Sequence, residues 1–281
     1  MPENSHSVLN AFVLNVSLSA LSLFYIPKIE ISSEILYPVA VAWLNIGLAA
    51  LVFGWIGKRF GWSRQVIGAV VLCAGFGNTS FVGIPLIQAF YGESGLKTVM
   101  LVDQPGSFVA LSTVGIAVAA HYSGGKSSKK DILNQILTFP PFLAFCLSVI
   151  LNVFNIKVFS DLDEVFGKLG TTTVPLALVS VGSQLKLEKP GIYTKALAAG
   201  LIFKLIVFPM FVFFLYFLVL KQSGEAIEIS ILEAAMAPMI TAAIIASSHG
   251  LAPKLCNLFI GIGIPLSLLT VFLWHLFISS L

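Results

Sequence analysis

Apolar residues in this chain come in long unbroken runs, not in the alternating or three-to-four-residue spacing of half-buried soluble elements. Polar, Gly- or Pro-bearing stretches cut the chain into nine such runs, at about residues 9–25, 36–56, 66–91, 98–120, 132–155, 169–185, 196–220, 230–248 and 255–277. A helix needs about 20 predominantly apolar residues to cross a hydrocarbon layer about 30 Å thick. Each run therefore predicts a spanning helix, and the fold class is an all-α integral membrane protein with about nine transmembrane helices. Residues 1–281 form a single membrane unit with no soluble domain or long linker.

Two runs are interrupted. The third contains "AGFGNTSFVGIPL" (Ala74–Leu86), with three glycines, Asn78, Thr79, Ser80 and Pro85; the eighth contains "LEAAMAPMITAAIIASSHG", broken around Ala237 and Pro238. Glycine destabilises a helix by about 1 kcal/mol relative to alanine, and proline by about 3 kcal/mol. Lipid offers no water to the backbone groups such breaks release, so they persist only where protein buries them or where they line a cavity. Half-helix N-termini attract anions through unpaired N–H groups and their positive dipole ends. Asn78 can add an amide donor, and Thr79 and Thr241 hydroxyls. Close packing of small residues, with the prolines as ordinary kinks, is the plainer use of the same residues.

Composition agrees with the run pattern: 57% of residues are hydrophobic and 10% charged, against roughly 45–50% and about 25% in soluble domains. A net charge of +3 is too small to suggest nucleic acid. "MPENSHS" has no basic region and no cleavage site follows the first run, so no signal peptide is expected. Cys73, Cys146 and Cys256 have no ligand spacing and read as packing residues, so no metal is expected.

Charge sorts the loops. Those after the second, fourth, sixth and eighth runs hold ten Lys and Arg against Asp131 and Glu188; the alternate loops hold five basic against eight acidic residues. By the positive-inside rule the first set is cytoplasmic. The N-terminus of this chain is then cytoplasmic and the C-terminus external.

The halves echo one another weakly. "SLSALSLFYIP" resembles "TTVPLALVSVG", "PGSFVALSTVG" resembles "IPLSLLTVFL", and the two broken runs correspond. Runs one to four map onto six to nine, an odd offset that inverts each pair across the membrane, as in many secondary transporters. Residues 1–121 form the first repeat, 122–131 a cytoplasmic connecting loop, and 132–281 the second repeat. The fifth run has no partner, so the first repeat lacks one helix.

Three ionisable residues lie inside runs: Asp103, Lys204 and Glu233. A charge there costs at least about 2.5 kcal/mol on insertion scales. Asp103, which opens "DQPGSF", and Glu233, about one turn before Pro238, are candidate coupling groups; either could instead pair with Lys204. Lys204 itself reads as structural or snorkelling, and His121, His249 and His275 as interfacial.

The stretch "GNTSFVGIPL" resembles the first crossover of the auxin efflux carrier family, whose bacterial members are thought to move small organic anions such as malate or malonate. "LNAFVLNVSLSALSLFYIPK", "DQPGSFVALSTVG", "VPLALVSVGSQL", "KLIVFP", "EAAMAPMITAAIIASSHGL" and "GIGIPLSLLTVFLW" extend the resemblance in order along the chain. It implies a ten-helix fold with a scaffold and a transport part whose broken helices cross, shared with bile-acid symporters and sodium–proton antiporters. It also implies that Asn78 contacts a substrate carboxylate and that Pro85 and Pro238 mark the crossing. Two features depart from the family: its first helix is absent here, and its "PAL" reads "SAL" at Ser19–Leu21.

The expectation is a secondary transporter of a small mono- or dicarboxylate in the cell membrane. Gly77, Asn78, Thr79, Pro85, Pro238, Met239 and Thr241 are its candidate substrate-binding residues. Membrane lipid and the organic anion are its expected partners, with a homodimer as a candidate assembly. No cofactor is expected, and a coupling ion would be a proton or sodium. Alternatives are a sodium-coupled symporter of the bile-acid type, or a channel-like or sensing protein on the same fold. No HExxH, GxSG or paired catalytic aspartates occur in the runs, which argues against a membrane enzyme.

Overall fold

A computed structural model describes residues 5–30, 32–124, 137–184 and 189–281. Among the described residues, six helices are long and apolar enough to cross a membrane: α1 (Val8–Lys28), α2 (Ser33–Arg59), α5 (Leu96–Ser123), α7 (Ser160–Ser183), α8 (Gly191–Val219) and α11 (Pro253–Ile278). Shorter apolar helices are α3 (Arg64–Gly75), α4 (Thr79–Tyr91) and α6 (Pro140–Val153). The eighth run forms α9 (Glu225–Ala234) and α10 (Ile240–Ser248). The third and eighth runs are thus each split into two half-helices, at the Gly- and Pro-bearing positions that predicted a break.

The helices sort into two groups. In one, α1 packs along both α6 and α7. In the other, α2 packs on α3, α5 and α9, while α3 also packs on α8, α10 and α11. The half-helices sit at the centre of the second group, and α3 is buried along nearly its whole length from Ile67 to Gly75. Lipid supplies no hydrophobic drive between helices, so small residues that let backbones approach carry much of the packing. Between the groups, α7 touches α4, and α1 touches the start of α5.

The sixth run begins earlier than its hydropathy predicts. The helix starts at Ser160, with an amphipathic first segment, Ser160–Thr171, joined to Thr173–Gln184. Asp161 and Asp163 in its first turn suit the positive end of the helix dipole, and Asp163 pairs with Lys28 of α1 at 2.7 Å. The acidic residues that make this segment look like a loop favour the start of the helix. The fifth run contains the helix Pro140–Val153; the predicted positions 132–136 lie outside the described residues, as does most of the 122–131 connection.

The close packing can be tested at Gly263 of α11. A Cβ there would stand 2.8 Å from Pro238 Cδ, 2.9 Å from its Cγ and 3.0 Å from Leu201 Cδ2. Gly263→Ala is expected to destabilise the purified protein by about 1–3 kcal/mol through overpacking, seen as a lower Tm in a thermal-shift assay. Gly47→Ala, with nothing within 4 Å of the new methyl, should leave Tm unchanged or raise it slightly. Equal responses from the two variants would contradict the packing described.

Candidate functional site

The two breaks meet. After Gly75 the chain turns extended at Phe76 (φ −126°, ψ 133°), and Met239 is extended at the matching place before α10 (φ −73°, ψ 125°). Gly77 and Pro238 lie opposite one another as an antiparallel bridge. The Asn78 N–H donates to the Ala237 carbonyl at 2.7 Å, and the Met239 N–H donates to the Phe76 carbonyl at 3.1 Å. The bridged pair itself exchanges no hydrogen bond, so Pro238 loses nothing by having no N–H. Gly77 is required by the close approach: a Cβ would stand 3.0 Å from Lys204 Nζ and 3.3 Å from the Glu233 carbonyl oxygen.

Asn78 is pinned as it enters α4. Its Oδ1 accepts the Phe81 N–H at 3.1 Å, the N-cap arrangement that satisfies an otherwise orphaned donor. This contact fixes which end of the amide is which. The Nδ2 donor has no hydrogen-bond partner among the described residues, although Asn78 is only 2% exposed.

That amide borders a cavity of about 110 Å³ whose polar lining includes Ser80, Asp103, Gln104 and Thr241. Leu14, Leu18, Phe108, Phe139 and Met239 supply part of its apolar wall. Leu14 and Leu18 belong to α1 and Pro141 to α6, whereas the polar groups come from α4, α5 and α10. The cavity therefore lies at the boundary between the two helix groups.

Asp103 is the hub of the buried polar network. Its carboxylate accepts the Thr79 hydroxyl at 2.6 Å, the Ser80 hydroxyl, and the Gln104 Nε2 amide at 2.8 Å. Thr79 also lies 3.3 Å from the Ser107 hydroxyl. Three donors on one carboxylate satisfy a buried polar group that would otherwise be costly. They also lock α5 to the first turn of α4. With its Nε2 held by Asp103, Gln104 turns its Oε1 to a buried position with no partner. Sequence reasoning singled out Asp103 but missed Gln104. The only signal was its place in "DQPGSF", and adjacency in a helix does not say which neighbour faces a cavity.

The predicted residues thus separate. Asn78, Asp103, Met239 and Thr241 line the cavity. Gly77 and Pro238 make the bridge, and Thr79 reaches from the bridge to Asp103. Pro85 does not mark the crossing: it is buried in α4 about two turns on, and the residue opposite Pro238 is Gly77. Glu233 and Lys204 are outside the cavity lining. Lys204 does not snorkel; it is 1% exposed and its ammonium donates to the Ala234 carbonyl at 2.7 Å. Cys73 and Cys256 are free thiols buried in the core, and the Cys256 thiol donates to the Leu251 carbonyl at 3.2 Å.

This geometry can be set beside known proteins. The family model described as membrane transport protein matches residues 1–275. An uncharacterized transporter of Methanocaldococcus jannaschii is 29% identical over 286 residues, with 98% of this chain and 90% of the relative covered. An uncharacterized transporter of Methanothermobacter thermautotrophicus is 28% identical over 277 residues, with 97% and 89% covered. The whole-chain match and the named relatives indicate a membrane transporter and not an enzyme. A chain of apolar helices built around two crossed breaks, matched over nearly its full length, belongs to the membrane transport protein family, that of the auxin efflux carriers.

Proposed function

We propose that this protein is a secondary permease for a small organic anion, bound by its carboxylate where the two broken helices cross. The observation that carries this reading is Asn78, a residue that lines the cavity and whose buried Nδ2 donor has no partner among the described residues. A buried donor left without a partner costs about 1–3 kcal/mol, and a substrate oxygen would remove that cost. Gln104 Oε1 offers the complementary unpaired acceptor, and Thr241 a further hydroxyl. Among the described residues no Lys or Arg lines the cavity, and Asp103 does, which favours a singly charged carboxylate over a dicarboxylate.

The cavity's place between the two helix groups supports an elevator-like or rocking exchange. Sliding or tilting one group against the other would open the same site to alternate sides. A sodium-coupled symporter of the bile-acid type is the second reading, and sodium-stimulated uptake at fixed pH would favour it. We place the protein in the cell membrane with the N-terminus of this chain cytoplasmic, on the strength of the loop charges.

In proteoliposomes, Asn78→Ala is expected to weaken the apparent affinity for transported carboxylates about 10–100-fold. This is the loss of a hydrogen bond to a charged group, about 1.5–3 kcal/mol. Unchanged affinity for every substrate in a panel of labelled monocarboxylates and dicarboxylates would remove Asn78 from the site. For orientation, a phosphatase reporter that works only outside the cytoplasm should be active when fused after Leu281, and a fluorescent protein fused there should be dark. The opposite pair of outcomes reverses the topology.

A further inference from the structure

Outside the cavity, the structure buries a second acidic group in a very different setting from Asp103. Glu233 sits in the last turn of α9, 1% exposed, and neither Oε1 nor Oε2 has a hydrogen-bond partner. The carboxylate lies flat against the backbone of α4: a Cβ on Gly83 would stand 2.5 Å from Oε1 and 2.6 Å from Oε2. Nearby, Lys204 is equally buried, yet its ammonium donates to the Ala234 carbonyl and makes no ion pair within 4.0 Å among the described residues. The charges that act on Glu233 are Lys204 from α8, which attracts it, and Asp103 from α5, which repels it. Of the other elements packed on α9, α2 has Glu34, Tyr37, Lys58 and Arg59 towards its ends, and α5 has Lys97 in its first turn. Five residues away, the Tyr91 hydroxyl of α4 donates to Glu228 Oε2 at 2.9 Å, and His275 of α11 packs edge-on against the Tyr91 ring.

We infer that Glu233 is a proton-carrying site and that Lys204 is its switch partner, moving between the Ala234 carbonyl and the Glu233 carboxylate as the proton comes and goes. This rests on the permease reading above and deepens it, naming Glu233 and not Asp103 as the coupling group. An ionised carboxylate without a single donor carries a desolvation penalty of several kcal/mol. A neutral acid does not, and its presence leaves the ammonium free to hold Ala234, as observed. Once the proton leaves, the carboxylate and the ammonium have each other as the nearest compensation, and the flexible lysine stem can reach across.

A metal cation fits the place poorly. Hard cations need several oxygen ligands, and the carbonyls around the crossing are already engaged: Ala234 by Lys204, Ala237 by Asn78 and Phe76 by Met239. Among the described residues, no group of three or more His, Cys, Asp or Glu is gathered for a metal. A proton needs neither space nor ligands.

The site is wired to the cavity through the backbone. Ala234 ends α9 three residues before Ala237, whose carbonyl holds the Asn78 N–H. Releasing the Ala234 carbonyl loosens the segment that positions Asn78. In a cycle, one proton is taken up by the Glu233 carboxylate from one side and released to the other. Carried with one carboxylate anion, it makes transport electroneutral.

Two measurements test this. The infrared spectrum of the purified protein at neutral pH should contain a C=O band of a protonated buried carboxyl that is lost in Glu233→Gln and kept in Asp103→Asn. A wild-type protein without that band, or a band that disappears only in Asp103→Asn, overturns the assignment whether or not any substrate is known. In proteoliposomes, a pH gradient should drive carboxylate accumulation by the wild type but not by Glu233→Gln or Lys204→Met, whose accumulation falls to the level seen without a gradient. Carboxylate exchange at equal pH on both sides is the control. Gradient-driven accumulation retained by either variant overturns this inference alone, whereas a wild type that exchanges no carboxylate overturns the permease reading and the coupling role with it.

Discussion

Two backbone hydrogen bonds, Asn78 to Ala237 and Met239 to Phe76, hold together what would otherwise be four loose helix ends in the middle of a membrane protein. In hydrocarbon each unsatisfied N–H or C=O costs several kcal/mol, so two broken helices are tolerable only if the breaks satisfy each other. The bridge does this with a minimum of chain. Glycine on one side allows the backbones to approach, and proline on the other occupies the position that needs no donor. The polar groups around it are referred to this crossing: Asn78 follows it directly, Asp103 is tied to it through Thr79 and Ser80, and Lys204 holds the last residue of α9, the helix leading into it.

The consequence is a division of labour among buried polar groups. Asp103 is fully engaged by hydroxyl and amide donors and acts as a brace between α4 and α5. Asn78 and Gln104 each have one end tied and one end free, as expected of groups that hold a ligand in a fixed orientation. Glu233 has neither oxygen tied. Three degrees of satisfaction therefore correspond to three proposed roles: bracing, binding and proton carrying.

Much of this was legible in the sequence because a membrane makes polar residues conspicuous. The breaks were visible at Gly77 and Pro238, since glycine, asparagine and proline have no reason to interrupt an apolar run otherwise. Asp103, Glu233 and Lys204 were visible for the same reason. Hidden were the pairings, which depend on the tertiary arrangement. Nothing local indicates that Pro238 faces Gly77 and not Pro85, that Gln104 lines the cavity, or that Lys204 points inward to Ala234. The start of α7 at Ser160 was hidden differently, because its acidic first turn lowers the hydropathy while favouring the helix end.

The proposed site rests on the Asn78 side chain holding the substrate carboxylate at the crossing. The most direct measurement is solid-state NMR of the reconstituted protein with a ¹³C-carboxylate substrate and ¹⁵N-labelled asparagine side chains. A dipolar contact at hydrogen-bond range between the carboxylate carbon and the amide nitrogen, absent in Asn78→Ala, is the predicted result. A bound carboxylate that shows no such contact, or the same contact with Asn78 removed, would contradict the account.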